Sequence, residues 1–225
     1  AEIAEMLVAE YPDDPRVLTA VAVHYQVNGE TDRARALFER AAEFDTEDAT
    51  ARLYVAASLV QEGREEEAEQ LLRQTILQQP ENARALAGLA RLLERRGALD
   101  EAADLFDRAA EHTTSVAPRL ALVQVRLRQG ELAEAKRQLD KAVAASPENF
   151  EVIALSGIVA LAEGRSDDAV TLLERAATML PDHLGVALAL ARARLAAGQA
   201  DAAREELRRL VTLAPGSYAI RLALG

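Results

Sequence analysis

The residues able to do chemistry are few and scattered along the chain. The three histidines, His24, His112 and His183, stand far apart and at unequal spacing. There is no cysteine, so thiolate nucleophiles and thiolate metal sites are excluded. No Gly-rich phosphate loop, nucleophilic serine elbow or carboxylate pair with a matching histidine is present. The glutamate run at 65–67 suits a helix start and predicts a solvated face. The sequence therefore predicts no catalytic, cofactor-binding or metal-binding residue, and no enzymatic activity.

The charge of the chain restricts its partners. It carries 26 basic and 37 acidic residues, a formal net charge of −11 and a pI of about 4.9. Such a surface repels phosphate backbones, which disfavours nucleic acids and anionic membranes, and it argues against Tyr54 as a base-stacking platform. No uncharged apolar run approaches the roughly 18 residues of a membrane span. Protein segments are the expected partners.

The elements that position these residues follow one period. Six glycines are separated by 34, 34, 33, 34 and 34 residues: Gly29, Gly63, Gly97, Gly130, Gly164 and Gly198. An alanine stands five residues after every one of these glycines. Prolines at 12, 80, 147, 181 and 215 share a second phase of the same period, with Thr46 and Thr114 in its gaps. Three residue types in one period predict an internal repeat along the whole chain.

Each repeat has the pattern of two helices. In the third repeat, Leu86, Leu89, Ala90 and Leu93 have the i, i+3, i+4, i+7 spacing of one helix face, and Gly97 ends that helix. Asp14, Asp48, Asn82, Asn149 and Ser217 are candidate caps of the first helices. Asp32, Asp100, Asp167 and Asp201 are candidate caps of the second helices. Alanines at the facing positions predict close antiparallel packing, and stacked repeats would share one core.

This pattern resembles the tetratricopeptide repeat, with its large, leucine, small and large positions in the first helix, a turn glycine, alanine and a large residue in the second helix, and a final proline. The resemblance implies an all-α, right-handed superhelical solenoid of antiparallel helix pairs. Full repeats are expected at 15–48, 49–82, 83–116, 117–149, 150–183 and 184–217. Residues 1–14 are expected to be the second helix of a preceding repeat and 218–225 the start of a further helix, so we interpret the chain as a fragment of a longer protein.

Two departures from the family pattern carry structural expectations. The fourth repeat lacks one residue before Gly130, which predicts a tighter turn there, and its Gln124 is assigned to a position where a small residue is usual. Arg52 and Arg194 occupy positions where an apolar residue is usual, and both are expected to be solvated or paired.

The resemblance places the first helices on the concave face of the solenoid, and the charge follows this division. First-helix segments contain eleven arginines against four acids, so they carry +7 while the rest of the chain carries −18. Arginine forms forked hydrogen bonds with carboxylates, which favours a groove for an acidic and apolar partner segment. The alternative is that these arginines only balance the acids that begin the second helices. The family pattern places the candidate groove residues at Tyr54, Arg84, Arg91, Leu122, Val125, Arg128, Ile158 and Arg192.

Three functions remain open at this level. The chain is expected to be a non-catalytic scaffold for protein–protein interaction, and its Ala-, Leu- and Arg-rich composition is similar to bacterial envelope and polysaccharide assembly proteins. It is alternatively a self-assembly module, associating through ends near Ile3, Leu7 and Leu222, or the recognition arm of an enzyme whose catalytic domain lies elsewhere. The composition does not choose between the bacterial cytoplasm and the envelope.

Overall fold

The computed structural model describes residues 2–44 and 48–213, with the side chains of residues 209, 212 and 213 left aside. The described residues form thirteen α-helices and no strand. Helices α1 to α13 span Glu2–Glu10, Pro15–Val27, Thr31–Ala42, Thr50–Gln61, Glu65–Gln78, Ala83–Arg95, Leu99–Glu111, Ala117–Gln129, Leu132–Ala145, Phe150–Ala162, Ser166–Met179, Leu184–Ala196 and Ala200–Leu213. The even-numbered helices are called first helices below, and the odd-numbered ones second helices.

The chain divides into two compact units, residues 1–113 and residues 114–225. The first unit contains α1 to α7 and the second α8 to α13, and within each unit every helix packs against the next one in sequence. The expected all-α helical repeat architecture is therefore confirmed. The segment at 218–225, together with Ser217 and Leu222, lies outside the described residues.

The pair α6 and α7 shows how the sequence forms each hairpin. The side-chain oxygen of Asn82 accepts a hydrogen bond from the amide of Ala85 at 3.0 Å and caps the start of α6. Gly97 then takes φ +82°, a left-handed conformation that glycine adopts without steric cost. This lets the amide of Ala98 donate to the carbonyl of Leu93 at 2.9 Å, which closes the helix end and reverses the chain.

Small residues set the distance between the paired helices. The alanine five residues after each turn glycine is fully buried in all six pairs: Ala34, Ala68, Ala102, Ala135, Ala169 and Ala203. Apolar side chains of the first helix close the same core, among them Leu86 and Leu89 in α6. A larger residue at the alanine position would push the helices apart, so the fold requires a small residue here.

The predicted caps agree with the structure at α2, α6 and α10, but they differ at α4, where Ala49 is the cap and Asp48 precedes it, and at the second helices. Asp14 and Asn149 accept backbone amides at the starts of α2 and α10, as predicted. The aspartates predicted to cap the second helices instead lie inside the first turn, as Asp32 does in α3 and Asp100 in α7. There their negative charges interact favourably with the positive end of the helix dipole, without a capping hydrogen bond.

The turn in the repeat that lacks a residue is not tighter than the others. Gly130 has φ +79°, and the amide of Glu131 donates to the carbonyl of Arg126 at 2.9 Å, as in the α6–α7 turn. The missing residue is accommodated at the start of α8 instead, so register in this helix is counted back from Gly130. Val123 then takes the small-residue position, and the assignment of Gln124 to it was wrong.

The two arginines at apolar positions have different environments. Arg52 in α4 is 4% exposed, and it has a partner of its own within the chain. It is therefore buried, not solvated. Arg194 in α12 is partly exposed and pairs with Glu174 of α11 at 2.9 Å, as expected for a paired residue.

Candidate protein-binding surface

One position of the first helices faces solvent throughout the chain. It is the residue that stands six before each turn glycine: Val23, Ala57, Arg91, Gln124, Ile158 and Arg192. Val23 is half-buried and the other five are exposed. Residues one or two positions away on the same helices face the core, because 3.6 residues complete a turn. This position marks a solvent-exposed stripe that we call the first-helix face, separately for each unit.

In the first unit, two arginines of α6 define the charge of the first-helix face. Arg84 and Arg91 are exposed and lie seven residues, or two turns, apart on one side of the helix. At 1.5 Å per residue their Cα atoms are about 10.5 Å apart. Neither forms an ion pair with any residue that the structure describes. Arg95 and Arg96, at the end of the same helix, both form ion pairs with Glu65, at 3.0 and 3.3 Å.

Tyr54 joins this face to the core of the first unit. Its ring stacks on Phe38 of α3, with ring centroids 4.2 Å apart and planes 9° from parallel. The guanidinium of Arg84 lies 6.0 Å from the centroid of the same ring, in cation–π range. The structure thus brings together Tyr54 and Arg84, two of the candidate groove residues. Tyr54 is half-buried, so it also positions Arg84 rather than standing free as a separate anchor.

Arg84 also contributes to the electrostatics at the start of α4. Hydrogen bonds from Thr50 lower the pKa of Asp48 below its ordinary value, and the charges of Arg52 and Arg84 act in the same direction. The carboxylate of Asp48 is therefore ionised at neutral pH. Arg84 remains available for a carboxylate of a partner, because it forms no direct ion pair with Asp48 or another described residue.

In the second unit, the first-helix face is partly apolar. Ile158 of α10 is 38% exposed, although it is a large aliphatic residue. Arg192 of α12 is exposed and forms no ion pair within the described ranges. Arg128 of α8 is exposed near the turn and has a partner of its own. This unit therefore offers one apolar and one cationic position in the same register, with Arg128 at the edge.

Two candidate groove residues are core residues. Leu122 and Val125 of α8 are 1% and 0% exposed and cannot contact a partner. Counted back from Gly130, they correspond to Leu89 and Leu92 of α6, which are equally buried. The sequence interpretation had missed Gln124, which lies between them and is exposed. Gln124 stands six residues before Gly130, and this spacing was the signal that could have identified it as exposed.

The pairing of the arginines bears on whether they only balance acids. Twelve are held in ion pairs: Arg33, Arg35, Arg64, Arg73, Arg95, Arg96, Arg126, Arg137, Arg165, Arg175, Arg194 and Arg204. On the first helices, four exposed ones pair with no described residue: Arg16, Arg84, Arg91 and Arg192. Charge balance among the described residues accounts for the first group and does not account for the second.

Other functional chemistry finds little support among the residues that the structure covers. No group of three or more His, Cys, Asp and Glu side chains is placed there to hold a metal ion. None of the helices described has the length and apolar character needed to cross a membrane. Apolar side chains are exposed on α1, where Ile3 and Met6 are 74% and 65% exposed beside Leu7.

Comparison with known proteins places this arrangement in a family. One tetratricopeptide repeat model matches residues 25–92, 59–114 and 160–224, and a second tetratricopeptide repeat model matches residues 120–183. The chain belongs to the tetratricopeptide repeat family. No curated protein matches the sequence significantly. Members of the family are protein–protein interaction scaffolds that bind peptide or protein partners, and they are generally non-catalytic.

Solved structures share the fold at low sequence identity. The APC/C hetero-tetramer Cut9–Hcn1 matches with 17% identity and a TM-score of 0.77 over 99% of this chain. The chain spans only 44% of the length of that relative. PilW, a widely conserved type IV pilus biogenesis factor, matches with 21% identity and a TM-score of 0.78 over 94% of this chain and 98% of that one. YrrB, a tetratricopeptide protein with an unusual peptide-binding site, matches with 21% identity and a TM-score of 0.61, over 81% and 95%.

Proposed function

We propose that this chain is a non-catalytic scaffold whose first-helix faces bind an acidic and partly apolar segment of a partner protein. In the first unit, Arg84 and Arg91 would bind carboxylates of the segment, with Tyr54 supporting Arg84. In the second unit, Arg192 and Ile158 would provide one cationic and one apolar contact. Arg128 stays in the proposal as a residue at the edge of this surface.

The observation that carries the proposal is the absence of ion pairs at Arg84 and Arg91 within the described structure. On a chain of net charge −11 in which twelve arginines form ion pairs with described residues, two cations left on one exposed helix face favour an external anion. An exposed guanidinium that already has two carboxylate partners would gain little from a third. An unpaired one can form a bidentate bond with each carboxylate it meets.

The spacing of the two arginines sets a requirement on the partner. Carboxylates about 10 Å apart would reach both guanidinium groups. In an extended segment, side chains on one face stand two or four residues apart, at about 7 or 14 Å, so the long arginine side chains must reach across the difference. A helical segment provides it between residues seven positions apart. Ala87, a small residue between the two arginines in the sequence, leaves room for the partner backbone to approach α6.

The test uses the chain as bait in a lysate of its source organism, with retained proteins identified by mass spectrometry. A second bait carries Arg84→Glu and Arg91→Glu, and a third carries Arg208→Glu. Arg208 is the matched control, because it is exposed on the second helix α13 and forms no ion pair with a described residue. Circular dichroism must first show equal helicity for all three baits.

The expected result is a partner that the wild-type and Arg208→Glu baits retain and the double variant loses. Replacing acidic residues of that partner by lysine should then restore binding to the double variant. A partner that all three baits retain equally would refute the first-helix face of α6 as its site. The same experiment addresses the envelope-assembly role, which the likeness to PilW supports only at the level of fold: partners from other pathways would contradict it.

Self-assembly is a second candidate, favoured by the apolar side chains exposed on α1. Ile3, Met6, Leu7 and Tyr11 follow i, i+3, i+4 and i+8 spacing and form one stripe. Sedimentation velocity over a range of micromolar concentrations would distinguish this function from the first. A monomer at all concentrations would exclude self-assembly, while association abolished by Ile3→Ser and Met6→Ser would establish it. A role as recognition arm of an enzyme requires a catalytic domain elsewhere in the parent protein.

A further inference from the structure

An open cleft lies on the second-helix side of the first unit, between α5 and α7. It has a volume of about 490 Å³, within the range of ligand-binding clefts. Its floor is formed by Leu89 and Leu105, which belong to the core, and its rim by Ile76, Leu77 and Pro80. The cleft is thus apolar at its base and opens away from the core.

Leu77 is the unusual residue of this cleft, because it is 82% exposed. It stands fourteen residues after its turn glycine, near the end of a second helix. The other repeats have polar residues or alanine at this position: Glu43, Glu111, Ala144, Thr178 and Thr212. The same hairpin therefore forms without an apolar side chain here. The fold does not require Leu77, and its exposed side chain adds apolar surface at the mouth of the cleft.

The charged side chains around the cleft differ in whether they have a partner within the described chain. Arg73 binds two carboxylates, Glu69 and Glu101, each at 2.8 Å. Arg108 donates to the carbonyl of Pro80 at 3.1 Å, and this contact holds the cleft rim to α7. Both cations are thus engaged within the chain. Asp104, which also lines the cleft, forms no ion pair with a described residue.

The two helices that form the cleft are both strongly acidic. Helix α5 contains four glutamates and one arginine, a net charge of −3, and α7 contains five acids and one arginine, a net charge of −4. A partner segment that entered the cleft would meet a negative potential from both walls. Its own charge would therefore have to be positive for favourable association.

From this geometry we propose that the α5–α7 cleft is a second protein-binding site, specific for a segment with a large apolar side chain next to lysine or arginine. The apolar side chain packs between Ile76 and Leu77 over the Leu105 floor, and the cation pairs with Asp104. The site is distinct from the first-helix face and opposite to it in charge preference. A scaffold with both sites can hold an acidic and a basic segment at once.

The probe is a phage-displayed library of random twelve-residue peptides, selected on the whole chain carrying Arg84→Glu, Arg91→Glu and Arg192→Glu, so that the first-helix faces do not retain acidic peptides. The most enriched peptide is then synthesised with a fluorophore, and its affinity is measured by fluorescence anisotropy. Variants Leu77→Ser and Asp104→Lys test the cleft. Leu180→Ser, at another exposed leucine, and Glu66→Lys, on α5 but outside the cleft, are the matched controls. All four positions are exposed, so circular dichroism should show unchanged helicity.

We expect enriched peptides to carry Lys or Arg next to Leu, Ile, Phe, Met or Trp. Leu77→Ser and Asp104→Lys should each weaken the chosen peptide about tenfold or more, because a buried leucine contact or a charge pair is lost. The controls and the Arg84→Glu, Arg91→Glu variant should bind it as the wild type does. Failure to enrich any peptide, enrichment of acidic peptides, or affinities insensitive to Leu77 and Asp104 would each overturn the proposal and leave the first-helix site unaffected.

Discussion

The substitution Gly157→Ala tests whether α10 and α11 pack too closely to accept one more carbon atom between them. It is buried in the middle of α10, at the position where four of the other five repeats have alanine. A Cβ atom added to Gly157 would lie 2.6 Å from Cγ of Leu173 and 3.0 Å from its Cδ2. Leu173 of α11 is fully buried, and its Cγ is not a flexible terminus that can swing away. We therefore expect Gly157→Ala to destabilise the chain.

Two opposing effects set the size of this loss. Alanine gains about 1 kcal/mol over glycine in a helix interior. Against this, ordinary carbon contacts are about 3.5–4.0 Å, so Leu173 must move by about 1 Å in a close-packed core. Overpacking of this kind costs about 1–3 kcal/mol. The net expectation is a loss of about 1 kcal/mol from the free energy of unfolding.

Gly88→Ala is the matched control in the first unit. Its added Cβ would lie 3.2 Å from Cδ2 of Leu72, a methyl group at the end of a flexible side chain. A small rotation relieves that contact, so the helix-propensity gain should prevail and the change should be neutral or stabilising. The two substitutions are chemically identical, and they differ in how near the neighbouring leucine lies and in burial, since Gly88 is half-buried and Gly157 is buried.

Urea unfolding followed by circular dichroism measures both variants, and hydrogen exchange with mass spectrometry localises the effect. Local measurement is needed because repeat arrays do not always unfold in one step. Faster exchange in α10 and α11 of Gly157→Ala, without change in α4 to α7, is expected. The reasoning is refuted if Gly157→Ala is as stable as the wild type, or if Gly88→Ala loses more stability than Gly157→Ala.

Two further predictions concern the turns and the ion pairs. Gly97→Ala should lower the free energy of unfolding in urea by about 1–2 kcal/mol, because φ is +82° and alanine is strained there. No atom approaches the added Cβ, so the effect comes from the backbone alone. Gly97→Asn should lose less stability, and equal losses would contradict this explanation. The pKa of Glu69 lies below its ordinary value of 4.5, chiefly because Arg73 donates hydrogen bonds to it and Arg96 adds to the effect. A depressed pKa in the folded chain contributes stability above pH 4.5 that is lost as the pH falls through the lowered value. Thermal melts at pH 7, 5, 4 and 3 should therefore show a smaller decline for Glu69→Gln than for the wild type, and parallel declines would show that Glu69 does not contribute.

Most of the fold could be predicted because each hairpin depends on a few residues that the period exposes. The turn requires a left-handed residue, which Gly29 and its five counterparts provide, and close helix contact requires the following alanine. Second-helix capping could not be predicted from the aspartates alone. Asp100 suits both a cap and a first turn, and the choice depends on where the backbone leaves the turn after Gly97.

The candidate site was only partly predictable for a related reason. Ion pairing depends on distances between helices, so the sequence could count the arginines but could not separate the engaged Arg95 from the unpaired Arg91. The same holds for Arg52, whose burial in α4 reflects the packing of its neighbours and not its own polarity. Leu77 was similarly invisible, because an apolar residue near the end of a helix usually faces the core.

The misassigned groove residues of α8 show which landmark determines the exposed face. Removing one residue from a helix rotates everything on one side of the deletion by about 100° relative to the other. The turn at Gly130 is unchanged, so the residues next to it keep their register and the rotation falls on the first turn of α8. Leu122 and Val125 therefore remain in the core, and Gln124 takes the exposed position of Arg91. The exposed face of each first helix is thus found by counting back from the turn glycine and not from the start of the helix.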